Sequence, residues 1–379
     1  MTRVQPEVEA FARIKVIGVG GSGSNTVDHM IKSKVKGVEF VCINTDAQDL
    51  HHSLAPKKIH IGKNLTRGLG AGMNPEIGKR AAEETKEEIQ EAIKGADMIF
   101  VTGGFGGGTA TGAVPTIART AKENGTLTIA VLTRPFAFEG AQRTRIAEDG
   151  INELKDAVDA MIVIPNDRLM GVIQKDTSFV SAFATCDEVL RQAVEGISDL
   201  ITLPGIINVD FADVKAVMKD AGSALMGIGT AQGEKRAEEA ARAAINSPLL
   251  DVSIDGAKGV LFAIAGGQDL AMTEIQEAAK IITDSVDDYA KIIFGAFHDD
   301  RLKKNEIKVT VVASGFPEGR QERNTPPPIK TDIFQSLGSK ESKPKDEIKN
   351  NNGQKEDDSE KSKDWEAIPA FLRRNKKEE

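Results

Sequence analysis

Two glycine-rich loops constrain this chain more than any other feature of its sequence. The first lies at residues 18–23 and the second at residues 103–112, and each stands between an apolar run and a helical pattern. Glycine lets backbone N–H groups approach a phosphate closely, and the N-terminus of the following helix adds a favourable partial charge. Both loops therefore indicate phosphate binding at the end of a β-strand.

The first loop alone is either a dinucleotide-binding loop or merely a tight turn between a strand and a helix. It contains Gly18-x-Gly20-x-x-Gly23, a dinucleotide-binding fingerprint, and Asp46 follows the next strand where a ribose-binding acid would lie. A nicotinamide-dependent oxidoreductase is therefore one hypothesis. The second loop disfavours it, because two phosphate cradles exceed the needs of one pyrophosphate and suit a triphosphate. The P-loop pattern G-x-x-x-x-G-K-[ST] is missing, so backbone donors, helix ends and Mg²⁺ would meet the phosphate charge.

Residues 14–177 alternate short β-branched runs with helical patterns, which is typical of a mostly parallel sheet covered by helices. The predicted strands are residues 14–18, 38–43, 98–102, 127–132 and 160–164. The predicted helices are residues 24–33, 75–94, 110–124 and 142–155. This arrangement predicts a doubly wound, Rossmann-like α/β domain.

The second half of the chain predicts a long helix and then a smaller α+β domain. Apolar residues recur at helical spacing over residues 178–203, before Pro204, and this helix would connect the two domains. Within residues 204–316 the pattern predicts helices at 213–220, 236–246 and 272–285, and strands at 259–265, 291–295 and 306–313.

The two ends of the chain differ from this pattern. Residues 1–13 form a short N-terminal extension, and residues 317–363 are too polar to bury a core, which predicts a disordered linker. Residues 364–379 bring Trp365, Phe371 and Leu372 together after that linker. This last cluster is either a partner-binding peptide or an incidental apolar group.

Composition narrows the functional classes. The net charge of −8 disfavours nucleic-acid binding. The apolar runs are too short to span a bilayer, and no targeting pattern opens the sequence, so we expect a cytoplasmic protein. Two distant cysteines predict no disulfide, and five histidines without partners at ligand spacing predict no metal held by side chains.

Four further short loops follow predicted strands, at residues 44–46, 68–72, 139–143 and 165–167. Each one alone is more typical of a turn or a helix cap. Open α/β sheets, however, bind ligands beyond the carboxyl ends of their strands. The shared position of these loops therefore predicts one ligand site along that edge.

Three segments together resemble the tubulin/FtsZ family, in its bacterial cell-division branch. Residues 104–112 are similar to the signature GGGTGTG, residues 208–215 match the synergy loop, and residues 368–374 are similar to the family's tail peptide. The resemblance implies a GTPase that binds GTP or GDP with Mg²⁺ and assembles head-to-tail with itself into the division ring. It also implies that residues 365–374 dock onto membrane-anchoring and regulatory division proteins.

The resemblance assigns GTP contacts to residues of both glycine loops and of the supporting loops. These residues are Gly20, Gly21, Ser22, Gly23, Ser24, Asn25, Asn44, Gly72, Gly106, Gly107, Gly108, Thr109, Ala110, Thr111, Gly112, Glu139, Arg143, Asn166, Phe183 and Asp187. Asp187 would read guanine, because a carboxylate accepts from both N1–H and the exocyclic amine.

Asn208, Asp210 and Asp213 carry the expected catalytic role. From the residues alone, Asp210 is a good helix N-cap, with Asp213 in the first turn. The resemblance implies instead that the three side chains enter the nucleotide site of the next subunit and position the attacking water. Hydrolysis would then depend on polymerisation.

The sequence departs from the family pattern within the first glycine loop, in the second loop and beside Asp187. Ala110 stands where glycine is usual, and Gly103 and Phe105 replace a more usual Ala and Met or Leu. Ser22 and Ser24, in the first loop, and Cys186 and Glu188, which flank Asp187, also differ. A methyl at residue 110 would be costly if the backbone needed a positive φ. A GTP-binding polymer with weak or lost hydrolysis is therefore an alternative.

Overall fold

The computed structural model describes residues 12–169, 178–247, 250 and 253–316. The N-terminal extension is covered only at residues 12 and 13. The expected linker and the partner-binding peptide that contains residues 365–374 lie outside the described residues.

Within those residues the chain forms eleven strands, which join in a single sheet. The strands are β1 Ile14–Val19, β2 Val38–Asn44, β3 Lys57–His60, β4 Met98–Gly104, β5 Leu127–Arg134, β6 Ala160–Pro165, β7 Gly205–Ile207, β8 Gly222–Gln232, β9 Gly259–Gly266, β10 Lys291–His298 and β11 Glu306–Ser314.

Twelve helices in the described ranges accompany the strands. They are α1 Gly20–Lys32, α2 Ala47–His52, α3 Lys63–Thr66, α4 Pro75–Glu84, α5 Lys86–Ile93, α6 Thr109–Glu123, α7 Ala141–Leu154, α8 Asn166–Leu169, α9 Phe179–Thr202, α10 Phe211–Met218, α11 Arg236–Ile245 and α12 Met272–Thr283. A short 3₁₀ turn, Ala137–Glu139, precedes α7.

The first six strands are parallel and lie in the order β3-β2-β1-β4-β5-β6, which is the doubly wound order of a Rossmann fold. Their side chains are buried on both faces: Val16 and Phe100 pack on one side, and Ile17 and Val101 on the other. The predicted fold class is therefore confirmed. All the strand carboxyl ends of this part lie along one edge.

The second part of the sheet is mixed. β8 joins the parallel part through β6, antiparallel pairs link β8 to β11 and β11 to β9, and β10 lies parallel to β9. Helix α9 spans the expected long connection. It begins after Ser178, whose side chain accepts from the Ser181 N–H, and it buries Leu190, Val194 and Ile197 completely.

The short elements α2, α3, α8, β3 and β7 were not predicted, and two larger parts of the secondary structure also differ from the sequence prediction. The helix expected at 75–94 is divided at Thr85, whose hydroxyl donates to the Ala81 carbonyl and accepts from the Gly62 N–H. Strand β8 was not predicted, because its glycines disfavour strand formation. Added Cβ atoms at Gly227 and Gly229 would lie 2.0 and 2.1 Å from carbonyl oxygens of α11, so helix packing requires both glycines.

No helix in the described part of the chain is both long enough and apolar enough to cross a membrane.

Candidate nucleotide-binding site

A cavity of about 420 Å³ opens at the carboxyl ends of β1, β2, β4, β5 and β6. It is lined by residues from both glycine loops, from the loop after α3 and from α9. The predicted residues that line it are Gly20, Gly21, Ser22, Asn25, Asn44, Gly72, Gly107, Gly108, Thr109, Ala110, Glu139, Arg143, Asn166, Phe183 and Asp187. The structure therefore brings these side chains and loops around one space.

Two helix N-termini meet at one end of the cavity. Helix α1 begins after Val19 and α6 begins after Gly108, and neither of these N-cap residues has a side-chain oxygen to accept from the first N–H groups. Asp46 and Asn74 provide such caps for α2 and α4. Uncapped N–H groups at a helix start bind anions. This end of the cavity suits phosphate.

Glycines keep that end open. A Cβ added at Gly104 would lie 2.9 Å from Ser22 Oγ, and one at Gly108 would lie 2.8 Å from the Asn74 nitrogen. No atom lies within 4 Å of the Cβ position of Gly107. The second loop thus packs tightly on its neighbours while its tip faces free space, which leaves room for a ligand.

Ala110 lies in the first turn of α6, a right-handed helix, and its φ is not positive. Its methyl group points at Gly103, where an added Cβ would lie only 3.0 Å from Ala110 Cβ. The two residues that differ from the family pattern are therefore neighbours. The methyl group of Ala110 fills the space that an alanine at residue 103 would otherwise occupy. Ala110 costs the backbone no strain.

Glu139 and Arg143 line the middle of the cavity. A Glu139 carboxylate oxygen accepts from the Phe136 N–H at 3.0 Å, and Arg143 approaches the other oxygen at 3.4 Å. Burial raises the pKa of Glu139, while the Phe136 N–H and the Arg143 charge oppose that rise. The arrangement offers both a cation and a carboxylate to polar groups of a ligand.

The opposite end of the cavity is formed by β6 and α9. Phe183 packs edge-on against Phe136, with ring centroids 5.3 Å apart. Asn166 is buried, and its side-chain oxygen has no hydrogen-bond partner among the described residues. A buried acceptor without a partner next to an aromatic ring is typical of a site for a polar, flat ligand.

Asp187 is the acidic residue at this end. It faces the cavity, and its Oδ1 accepts from the Thr26 hydroxyl at 2.7 Å. Burial raises the pKa of Asp187 to about 6, against the opposing effects of the Thr26 hydroxyl and of His29. The carboxylate is therefore mostly ionised at neutral pH and able to accept from a ligand donor.

Five predicted contact residues lie outside the lining of the cavity and pack within the protein. An added Cβ at Gly23 would lie 2.6 Å from the Thr102 carbonyl oxygen, and one at Gly112 would lie 1.8 Å from the Pro75 carbonyl oxygen. The Thr111 hydroxyl accepts from the Gly106 N–H, and Ser24 is buried. These residues shape the loops from behind, and their contact with a nucleotide stays a prediction.

The three expected catalytic residues lie away from the cavity and are exposed. The Asn208 Oδ1 accepts from the Gly205 N–H at 2.6 Å, and the Asp210 side chain accepts from the Ala212 N–H at the start of α10. Asp213 stands in the first turn of that helix. The single chain thus separates these residues from its own candidate site.

Several lining residues were not among the predicted contacts. They are Val19, Asp46, Leu69, Gly70, Met73, Gly104, Phe105, Thr133, Pro135, Cys186 and Leu190. Thr133 and Pro135 end or follow β5, so the rule that ligands lie beyond strand ends would have found them. Leu69 lies in the loop at residues 68–72, which was predicted at this edge, and Met73 follows it, but the sequence does not indicate which way these apolar side chains face.

In the ranges that the structure describes, no three His, Cys, Asp or Glu side chains cluster closely enough to hold a metal ion.

Comparisons with known proteins agree with the geometry. A model of the tubulin/FtsZ family GTPase domain matches residues 13–174, and a model of the FtsZ family C-terminal domain matches residues 222–317. The structure of an empty FtsZ dimer from M. jannaschii is 45% identical, with a TM-score of 0.78, and the match covers 84% of this chain and 96% of that one.

A mutant of the M. jannaschii FtsZ is 48% identical, with a TM-score of 0.78 and coverage of 81% of this chain and 92% of that one. CetZ2 from Haloferax volcanii, solved as a protofilament bound to GTPγS, shares the fold at 22% identity, with a TM-score of 0.69 and coverage of 81% and 94%. These named relatives are archaeal, so the bacterial branch stays a prediction. By sequence and by fold, the chain belongs to the tubulin/FtsZ family of GTPases.

Proposed function

We propose that the chain binds GTP in this cavity and hydrolyses it when subunits assemble head-to-tail into filaments. One observation carries the proposal: a single cavity joins two uncapped helix N-termini at one end to the carboxyl group of Asp187 at the other. Such a site matches a ligand with several phosphates and a base that has hydrogen-bond donors.

The base end favours guanine. Guanine presents N1–H and an exocyclic amine side by side, and the Asp187 carboxylate accepts from both. Adenine presents an acceptor at N1, which would face that carboxylate unfavourably. Phe183 would lie against the purine ring, and the unpartnered oxygen of Asn166 would accept a further donor from the nucleoside.

Hydrolysis is proposed to need a second subunit. Asn208, Asp210 and Asp213 are exposed on their own chain, so they would enter the cavity of a neighbouring subunit that stacks on this face. Their oxygens would orient a water molecule and take its proton as it attacks the γ-phosphorus. The bond from that phosphorus to the β–γ bridging oxygen breaks, and GDP and phosphate are released. The contact repeats into an open filament.

Mg²⁺ would be held mainly by oxygens of the nucleotide phosphates, and it supplies charge neutralisation when bound. Asp46 is the carboxylate that lines the cavity on the side of the loop at residues 69–73. Its Oδ1 already accepts from the N–H groups of Gln48 and Asp49, which leaves Oδ2 for a ligand of the metal. Ala110 lies in unstrained helix, so we expect hydrolysis to be retained.

The similarity to FtsZ supports a proposal about the cellular role. We propose that the filaments form the division ring in the cytoplasm, at the division site. Residues 365–374 would tether them to membrane-anchoring and regulatory division proteins. We expect neither nucleic-acid binding nor direct membrane insertion.

A mixing experiment tests the two-subunit mechanism. Asp213→Ala should bind GTP but hydrolyse it slowly, whereas Asp187→Ala should lose GTP while keeping its own catalytic loop. Mixing the two variants should restore phosphate release, because each Asp187→Ala subunit offers an intact loop to an Asp213→Ala neighbour. Asp288→Ala, another exposed aspartate in the same part of the chain, is the matched control.

Light scattering and phosphate release should be followed against protein concentration. A shared threshold supports hydrolysis across an interface. Release in proportion to concentration with no threshold, or a mixture no more active than its components, would contradict it.

A further inference from the structure

Thr26 contacts one residue at each end of the cavity. It lies on α1 and is completely buried. Its hydroxyl is 3.0 Å from the carbonyl oxygen of Ser22, which lines the phosphate end, and 2.7 Å from Asp187 Oδ1 at the base end. A threonine inside a helix commonly donates to the carbonyl four residues earlier. That pattern does not explain the shorter contact of Thr26 with Asp187, a side chain of α9.

The carboxylate plane of an aspartate is poorly fixed by its own torsion angle, because rotation about the terminal bond is broad. Reading two donors side by side requires that plane to be held. The Thr26 hydroxyl is the hydrogen-bond donor that the structure gives to the Asp187 carboxylate. It approaches from α1, and it leaves Oδ2 and the second lone pair of Oδ1 for a ligand.

We propose that Thr26 is a positioning residue for guanine recognition, and that its hydroxyl holds the Asp187 carboxylate in the orientation that accepts both guanine donors. The inference rests on the proposed GTP binding and assigns specificity to a residue outside the lining of the cavity. Without the hydroxyl, the carboxylate could turn away from the base.

The hydroxyl also favours the ionised form of the acid. Donation to a carboxylate stabilises its charge, and Thr26 opposes the rise in the Asp187 pKa that burial causes. A protonated Asp187 would present an O–H towards guanine N1–H, so two donors would face each other. The charged or titratable groups nearby, which the Thr26 variants keep, are Asp28, His29, Glu139, Arg143, Cys186 and Glu188.

The test measures the dissociation constants of GDP and of IDP, which lacks the exocyclic amine, from about pH 5 to about pH 8 across the Asp187 pKa. Four full-length proteins are compared: wild type, Thr26→Val, Thr26→Ser and Asp187→Asn. Valine keeps the shape of threonine and removes the hydroxyl, whereas serine keeps the hydroxyl. Asp187→Asn cannot titrate at this position, so its pH dependence reports protonation of the nucleotide phosphates and of the other nearby groups.

Thr26→Val should bind GDP roughly tenfold more weakly, the loss expected for one charge-assisted hydrogen bond. Its preference for GDP over IDP should shrink, and the pH at which affinity falls should move upward from about 6. Thr26→Ser should stay close to wild type in all three measurements. Circular dichroism shows whether each variant is folded, and Thr26→Ala replaces Thr26→Val if valine is not accommodated.

Two outcomes overturn the inference. In the first, the hydroxyl-free variant matches wild type in its base preference and pH midpoint. In the second, valine and serine weaken binding equally and leave the midpoint unchanged, which would indicate a packing role. A wild type that binds neither GDP nor GTP would instead refute the proposed function itself.

Discussion

The contact between Gly103 and Ala110 predicts that these two positions are energetically coupled. The family signature usually has alanine at the first and glycine at the second, and this chain has the reverse. Because Gly103 would place an added Cβ 3.0 Å from Ala110 Cβ, only one of the two positions has room for a methyl group. The exchange of both residues should therefore cost less than the sum of the two single substitutions.

The magnitudes follow from the distances. Relaxed carbon atoms lie about 3.5–4.0 Å apart, so Gly103→Ala is overpacked and should cost about 2 kcal/mol of unfolding free energy. Ala110→Gly removes a methyl group that is 5% exposed. That loss costs about 0.8 kcal/mol, and glycine inside a helix costs about 1 kcal/mol more.

Independent effects would sum to about 4 kcal/mol in the double variant. In the exchanged pair, the clash between methyl groups is gone and buried apolar volume is restored. The helix glycine remains, and so does a 3.0 Å approach of residue 103 to the Val19 carbonyl oxygen. We expect a loss of about 2 kcal/mol, and thus a coupling energy of about 2 kcal/mol.

Urea unfolding of the four nucleotide-free proteins, followed by circular dichroism, measures this cycle. Equal m-values across the set confirm that the same transition is compared. Strictly additive losses would refute the reasoning, since they would mean that the loop moves to accommodate each methyl group separately.

Three further predictions rest on charge and close packing. The folded-state pKa of Asp187, about 6, exceeds its ordinary value of 3.8, so its stabilising contribution is present below about pH 4 and is lost as pH rises through 6. Asp187→Asn should therefore raise the melting temperature of the nucleotide-free protein at neutral pH while lowering its GTP affinity. Arg301→Met should cost about 2 kcal/mol in urea unfolding, because the buried Glu195 loses one of its cations. Gly112→Ala should cost about 3 kcal/mol or more, measured in the same way, because its Cβ would overlap the Pro75 carbonyl oxygen.

The parallel part of the sheet could be predicted because its strands carry a strong local signal. β1, β4 and β5 are mostly apolar and almost entirely buried, and glycine-rich loops follow the ends of β1 and β4. Such strands can be recognised from the local sequence without knowledge of the rest of the chain. The long helix α9 was predictable for a similar reason, because its apolar positions repeat at helical spacing over 24 residues.

Strand β8 shows why other elements escaped prediction. Helix α11 packs so closely on Gly227 and Gly229 that an added Cβ at either position would lie 2.0 or 2.1 Å from one of its carbonyl oxygens. The residue type is set by a helix that follows in sequence, so the local pattern indicates a loop. Tertiary contact overrides β-propensity here.

The candidate site was predictable to the extent that it follows from strand ends. The glycine loops and Asn44, Glu139 and Asn166 all follow parallel strands, and the structure places them around one cavity. The sequence could not tell which loop residues face the cavity and which pack behind it. Gly23 and Gly112 are glycines because neighbouring backbone approaches them, whereas Gly107 faces open space.

Asp210 illustrates the limit of inference from one chain. Its side chain caps α10, and serine, threonine or asparagine would satisfy that folding role equally well. Asp213 gains only the weak interaction of a first-turn carboxylate with the helix dipole. Neither role requires two carboxylates beside Asn208 on an exposed surface. The excess of charge over what folding needs therefore fits the proposed role in a neighbouring subunit, and the mixture of Asp213→Ala with Asp187→Ala tests that role.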